Sequence, residues 1–153
     1  MSAIPTTTFC TATSPRHAGG GSQVKATSDY VYWPPAMERI ARYNPRMKII
    51  ISLRNPADRA FSHWNMRRAR DQEPLDCADA IKRERATVIE PFALNARRYA
   101  SVDRGFYFGQ MKRVFRFFPR EQVMVIKHEN FRGDYARTLG QMFDFLGVND
   151  FRI

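Results

Sequence analysis

Apolar and polar positions along the chain change period most sharply between residues 48 and 64. Ile49-Ile50-Ile51-Ser52-Leu53 is an apolar, largely β-branched run of strand length. It does not alternate, which predicts a strand buried on both faces of a parallel sheet. Arg54 follows. Asn55 then has the chemistry of a helix N-cap, and Pro56 that of a first helical residue, since proline lacks the N–H that would lie unpaired there. Beyond it Ala57, Ala60, Phe61 and Trp64 recur at helical spacing, so the pattern predicts an inward stripe with Ser62 beside it. The helix is expected to run to about Arg70, where arginines suit the negative pole, until Asp71-Gln72-Glu73-Pro74 breaks it.

The same reading predicts a helix from Ala36 to Tyr43 with Met37, Ile40 and Ala41 inward, ended by Asn44-Pro45. Asp76 to Ala86 reads as a charged surface helix, whereas 87–103 shows no clear period. After Arg104-Gly105, a stripe of Tyr107, Met111, Val114, Phe115 and Phe118 predicts a helix whose wet face carries Lys112, Arg113 and Arg116. Val123-Met124-Val125-Ile126 reads as a second buried strand, and Glu129-Asn130-Phe131 as a loop. Asp134 is placed to cap a last helix with Tyr135, Leu139, Met142, Phe143 and Leu146 inward, closed by Gly147 in a left-handed turn. Strands that alternate with helices predict an α/β fold, a small parallel sheet flanked by helices.

Composition divides the chain in two. Residues 1–24 are dominated by Thr, Ser, Gly, Ala and Pro, hold Arg16 as their one Lys or Arg, and lack acidic residues. A disordered leader is predicted there, Gly19-Gly20-Gly21-Ser22 reading as flexible linker, and residues 25–153 form the domain. No apolar core of a signal peptide occurs in the leader, and no apolar run approaches the roughly 20 residues needed to cross a bilayer. The net charge is +10, from 25 Lys and Arg against 15 Asp and Glu. That excess suits an anionic ligand, and equally nucleic acid or an acidic surface. Cys10 and Cys77 lie in unlike surroundings and suggest neither a disulfide framework nor a metal site, which makes the reducing cytoplasm the expected setting.

The strand, arginine and capped helix at residues 48–64 are a place to hold a phosphate. A helix N-terminus offers N–H groups and about half a positive charge to an anion. Arg54 adds a planar fork able to grip two phosphate oxygens, and Ser62 a hydroxyl donor. The same elements also recur as plain packing. Arg97 and Arg98 could meet an acidic acceptor but read more simply as exposed charges. His128 falls at the carboxyl end of the second strand, the edge where open α/β sheets place ligands. Nothing in the sequence pairs it with a nucleophile or a metal, so it reads as structural, and His63 is left unassigned.

The segment resembles the 3′-phosphate-binding strand and helix of sulfotransferases that use 3′-phosphoadenosine 5′-phosphosulfate (PAPS). There an Arg and a Ser eight positions later hold the 3′-phosphate, the spacing of Arg54 and Ser62. Upstream, Ala26-Thr27-Ser28-Asp29-Tyr30-Val31-Tyr32-Trp33-Pro34-Pro35 is similar to the family's Glu-(Lys or Ala)-(Ser or Thr)-Pro-x-Tyr block. Downstream, the likeness continues through Arg104-Gly105-Phe106-Tyr107-Phe108-Gly109-Gln110, Phe118-Pro119-Arg120-Glu121-Gln122-Val123 and Phe145-Leu146-Gly147-Val148. It covers about residues 25–148 and is nearer the bacterial branch related to heparan-type enzymes than the steroid and phenol branch.

The resemblance implies part of a P-loop-like three-layer domain, with PAPS as cofactor and sulfonate transfer to a hydroxyl or amine, carbohydrate among the possible acceptors. It implies neither a metal nor a specific nucleic acid. Arg54 and Ser62 would bind the cofactor. The family's Pro-Lys-x-Gly-Thr-Thr loop, which cradles the 5′-phosphosulfate, has no counterpart in the sequence, nor does the interval that carries the catalytic base. No catalytic residue is therefore assigned. A truncated domain is expected, with a catalytically inactive remnant or a basic module for anions, nucleic acid or polysaccharide as the alternatives.

Overall fold

The computed structural model describes residues 10–14, 23–27, 29–87 and 100–148. In chain order the elements are strands β1 (Cys10–Ser14) and β2 (Gln23–Thr27), helices α1 (Asp29–Tyr32) and α2 (Pro34–Tyr43), strand β3 (Lys48–Leu53), helix α3 (Pro56–Arg68) and helix α4 (Cys77–Thr87). A 3₁₀ turn at Asp103–Gly105 precedes α5 (Tyr107–Phe117), and a second at Arg120–Gln122 leads into β4 (Val123–Lys127). Helices α6 (His128–Gly133) and α7 (Tyr135–Leu146) are the last of the described elements. The residues group into two compact units, one reaching Arg54 and resuming at Gly109, the other spanning Asn55–Phe108.

The first unit holds a four-stranded sheet of order β2-β1-β3-β4. Strands β3 and β4 are parallel, with Ile49 opposite Val123 and Leu53 opposite Lys127. This is the α/β character read from the sequence. Strands β1 and β2 extend the sheet with antiparallel pairings, Cys10 standing opposite Ile51. Strand β1 lies within the stretch whose composition suggests no regular structure. Its alternating threonines favour a pleated backbone, and pairing covers an edge of β3 that would otherwise present open N–H and C=O groups.

Ile49 and Ile51 project from one face of β3 into a core of Val31, Met37, Met47, Val114 and Phe118. Helices α1, α2 and α5 therefore cover that face. Ile50, on the opposite side, is buried too, which explains why the strand does not alternate. Three polar ties fix the periphery of this unit. Lys48 Nζ donates to the Phe145 carbonyl at the end of α7 (2.6 Å), where a cation meets the negative pole of the helix. Gln122 donates to the carbonyls of Pro45 and Met47, and Arg113 to those of Val31 and Tyr32. Arg113 is thus no member of the wet face to which periodicity assigns it, because the carbonyls it reaches come from α1, remote in sequence. Asp134 caps α7 by accepting from the Arg137 N–H (3.0 Å), and Gly147 closes the helix with φ of 69°, a conformation open to glycine at little cost. Residues 129–131, read as loop, lie inside α6, and Tyr135, read as inward, is exposed.

In the second unit, α3 departs from the expected stripe. Its buried positions are Arg59, Ala60 and Arg67, while Phe61 is 55% exposed and leans on Trp64 with ring centroids 5.4 Å apart. For Arg67 the reason is ionic. Arg67 lies 3.8 Å from Glu73, both side chains being 4% exposed, and also donates to the Gln72 carbonyl. Arg83 of α4 pairs with the same Glu73 carboxylate. A buried guanidinium is tolerable only with such partners. Asp71 at φ 55° makes the turn that brings Glu73 back onto α3, a conformation Asp adopts more readily than most residues.

Candidate functional site

Arg54 follows directly on Leu53, the last residue of β3, and Asn55 begins the next unit as the cap of α3. The Asn55 side-chain oxygen accepts from the N–H groups of Ala57 (2.9 Å) and Asp58 (3.4 Å), and its carbonyl accepts from the Arg59 N–H. With Pro56 contributing no donor, the N–H groups of the first turn are already engaged. The helix end is therefore capped by Asn55 instead of lying open as expected from the sequence, which leaves the side chains as the principal groups for a phosphate contact. Ser62 sits half-buried on α3 at the end of its second turn.

Next to Ser62, His63 Nδ1 lies 2.8 Å from the Ser101 hydroxyl. Ser101 is held in turn by Glu84 of α4, whose buried carboxylate accepts the N–H groups of Ser101 (2.6 Å), Val102 (2.7 Å) and Asp103 (3.2 Å). This carboxylate caps the 3₁₀ turn that ends at Gly105. Gly105 approaches Pro56 so closely that an added Cβ would stand 3.1 Å from the proline Cβ. The resemblance block around Arg104-Gly105 thus abuts the first turn of α3, and close approach accounts for its glycine. Neither Glu84 nor Ser101 is marked by any sequence period; the one available signal is an acidic residue on an otherwise basic stretch of α4.

A second juxtaposition lies in the first unit. Leu53 and Lys127 face each other in the parallel ladder, so the residues that follow, Arg54 and His128, leave neighbouring strands at the same carboxyl edge. The His128 imidazole is held below its ordinary pKa, first by burial of the ring and next by the Arg54 charge. Arg132 acts in the same direction and Glu129 against it. Sequence placed His128 at this edge but supplied no partner for it; the register does. Arg97, Arg98 and the Gly19–Ser22 run lie outside the described residues. Thr27, within the upstream block, caps α1 by accepting from the Asp29 N–H (3.3 Å).

Comparison with known proteins decides the family. The family described as "Sulfotransferase domain" matches residues 34–151, a stretch that begins at α2 and contains Arg54, Ser62, Gly105 and His128. The chain belongs to the sulfotransferase family. It is 32% identical over 120 residues to bifunctional heparan sulfate N-deacetylase/N-sulfotransferase 1 of Xenopus laevis, covering 75% of this chain and 13% of that protein. With human heparan sulfate glucosamine 3-O-sulfotransferase 3B1 it shares 25% identity over 135 residues, 88% of this chain and 33% of the relative. The crystal structure of a sulfotransferase from Alicyclobacillus acidocaldarius superposes with a TM-score of 0.73 at 32% identity, over 82% of this chain and 50% of that one. The match therefore spans half or less of the length of each of these relatives. Among the described residues no helix is long and apolar enough to cross a membrane.

Proposed function

We propose that this sulfotransferase-family chain binds PAPS through Arg54 and Ser62 and presents it to a hydroxyl or amine on a carbohydrate. PAPS, when bound, supplies the sulfonate that is transferred. The observation that carries the reading is Arg54 at the carboxyl end of the buried parallel strand β3, within the matched stretch and directly before the capped helix that bears Ser62. A permanently charged fork at that edge fits a phosphate monoester, which accepts two parallel N–H bonds from a guanidinium. Because Asn55 occupies the backbone donors of α3, the affinity depends on side chains. A carbohydrate acceptor is supported by relatives whose names specify heparan sulfate and its glucosamine. The cytoplasmic setting belongs to the same proposal, and Cys77 is a free thiol.

Calorimetric titration tests it by comparing adenosine 3′,5′-bisphosphate with adenosine 5′-phosphate. The bisphosphate is expected to bind at least about tenfold tighter, since a charge-assisted hydrogen bond contributes roughly 1.5–3 kcal/mol. Arg54→Ala is expected to erase that preference and Ser62→Ala to reduce it. Equal affinities in the wild-type chain refute the assignment. The alternative of a basic surface module is favoured by the net charge of +10. It predicts binding that falls steeply with salt and is indifferent to Ser62. Retained bisphosphate binding without sulfonate transfer would identify a remnant that holds nucleotide but does not turn it over.

A further inference from the structure

We propose that His128 is a second ligand for the phosphate held at Arg54, an imidazole that takes up a proton as the anion docks and so makes nucleotide binding tighten as pH falls. This rests on the reading that Arg54 holds a phosphate. It goes beyond that reading in naming a partner residue and a protonation event.

The geometry is that of the parallel ladder. With Leu53 opposite Lys127, the residues after them depart from strands about 4.8 Å apart, and a guanidinium and an imidazole share one edge. The ring is half-buried. Burial of the ring favours its neutral form first, and the neighbouring charges add to this: Arg54 just after β3 and Arg132 from α6 repel a second positive charge, while Glu129 opposes them. On the adjoining elements, Lys127 of β4 is exposed, and Asp134 before α7 has its carboxylate bonded to the Arg137 N–H. A phosphate on Arg54 reverses the electrostatic part of this balance. Its negative charge cancels the guanidinium's repulsion and adds attraction, so the imidazolium becomes the favoured form and donates to a phosphate oxygen. Proton uptake on binding means that the association constant rises as pH falls, by at most about tenfold per pH unit for one proton.

The test is calorimetric titration of the full chain with adenosine 3′,5′-bisphosphate between about pH 8 and about pH 6.5, above the second ionisation of the phosphates. Two buffers of different ionisation enthalpy are used, so that proton uptake is read directly. Net uptake and a several-fold tightening at the lower pH are expected. In His128→Gln both are expected to vanish, while the preference for the bisphosphate over adenosine 5′-phosphate narrows to the part that Arg54 and Ser62 supply. A wild-type chain with no pH slope, or a variant that keeps the slope and the uptake, overturns the proposal. Nuclear magnetic resonance titration of the His128 ring in the wild-type chain gives the same decision without a variant: its midpoint must move upward when the bisphosphate is added, and a stationary midpoint refutes the mechanism. Absence of any bisphosphate preference in the wild type overturns the Arg54 assignment and this proposal together, an outcome distinct from a preference that is kept without a pH slope.

Discussion

Removing the Glu84 carboxylate measures how much of the second unit hangs on one side chain. In Glu84→Ala the N–H groups of Ser101, Val102 and Asp103, now bonded at 2.6, 2.7 and 3.2 Å, lose their acceptor together. A hydrogen bond to a charged group nets roughly 1.5–3 kcal/mol, and an orphaned buried donor costs about 1–3 kcal/mol. The Ser101 bond is fully buried and stands near the top of that range, whereas Val102 and Asp103 are half-buried and regain water in part. Allowing for that recovery and for non-additivity, the loss is about 4 kcal/mol. Glu84→Gln keeps an oxygen for Val102 and Asp103 but turns an NH₂ toward the Ser101 N–H, so about 2 kcal/mol is expected. Domain stabilities are about 5–15 kcal/mol in total, so both losses are readily measured. Urea denaturation followed by circular dichroism, extrapolated linearly to water, is the assay. A Glu84→Ala chain within about 0.5 kcal/mol of wild type, the ordinary range for a surface substitution, would show that the carboxylate does not hold this segment.

Two further substitutions probe other links. Phe118→Ala empties the centre of the first unit's core, where the ring is 1% exposed. A loss of about 3–5 kcal/mol is expected in the same denaturation assay, with Phe118→Leu well below it. Asn55→Ala deprives the Ala57 and Asp58 N–H groups of their cap. It is expected to cost about 1 kcal/mol, with Asn55→Asp restoring most of that; an unchanged melting temperature in Asn55→Ala would refute the cap.

Local chemistry alone was enough for several parts of this molecule. The bounds of β3, the Asn55-Pro56 start of α3, the Asp134 cap and the left-handed Gly147 turn were all legible, because each depends on residues within a turn of one another. Arg54 at a strand end and Ser62 on the following helix were legible for the same reason. Hydrophobic periodicity failed on α3, where it turned Phe61 inward and left Arg59 and Arg67 unremarked. It counts a buried guanidinium as a cost and has no knowledge of Glu73 and Arg83, which a turn and a second helix deliver to it. Glu84 gripping the backbone of residues 101–103, Arg113 reaching the carbonyls of α1, and the pairing of Arg54 with His128 at one sheet edge are of the same kind. Each joins groups far apart along the chain, and their proximity comes into being only when strand register and helix packing close, because the electrostatic and hydrogen-bond terms that make them matter act over a few ångströms.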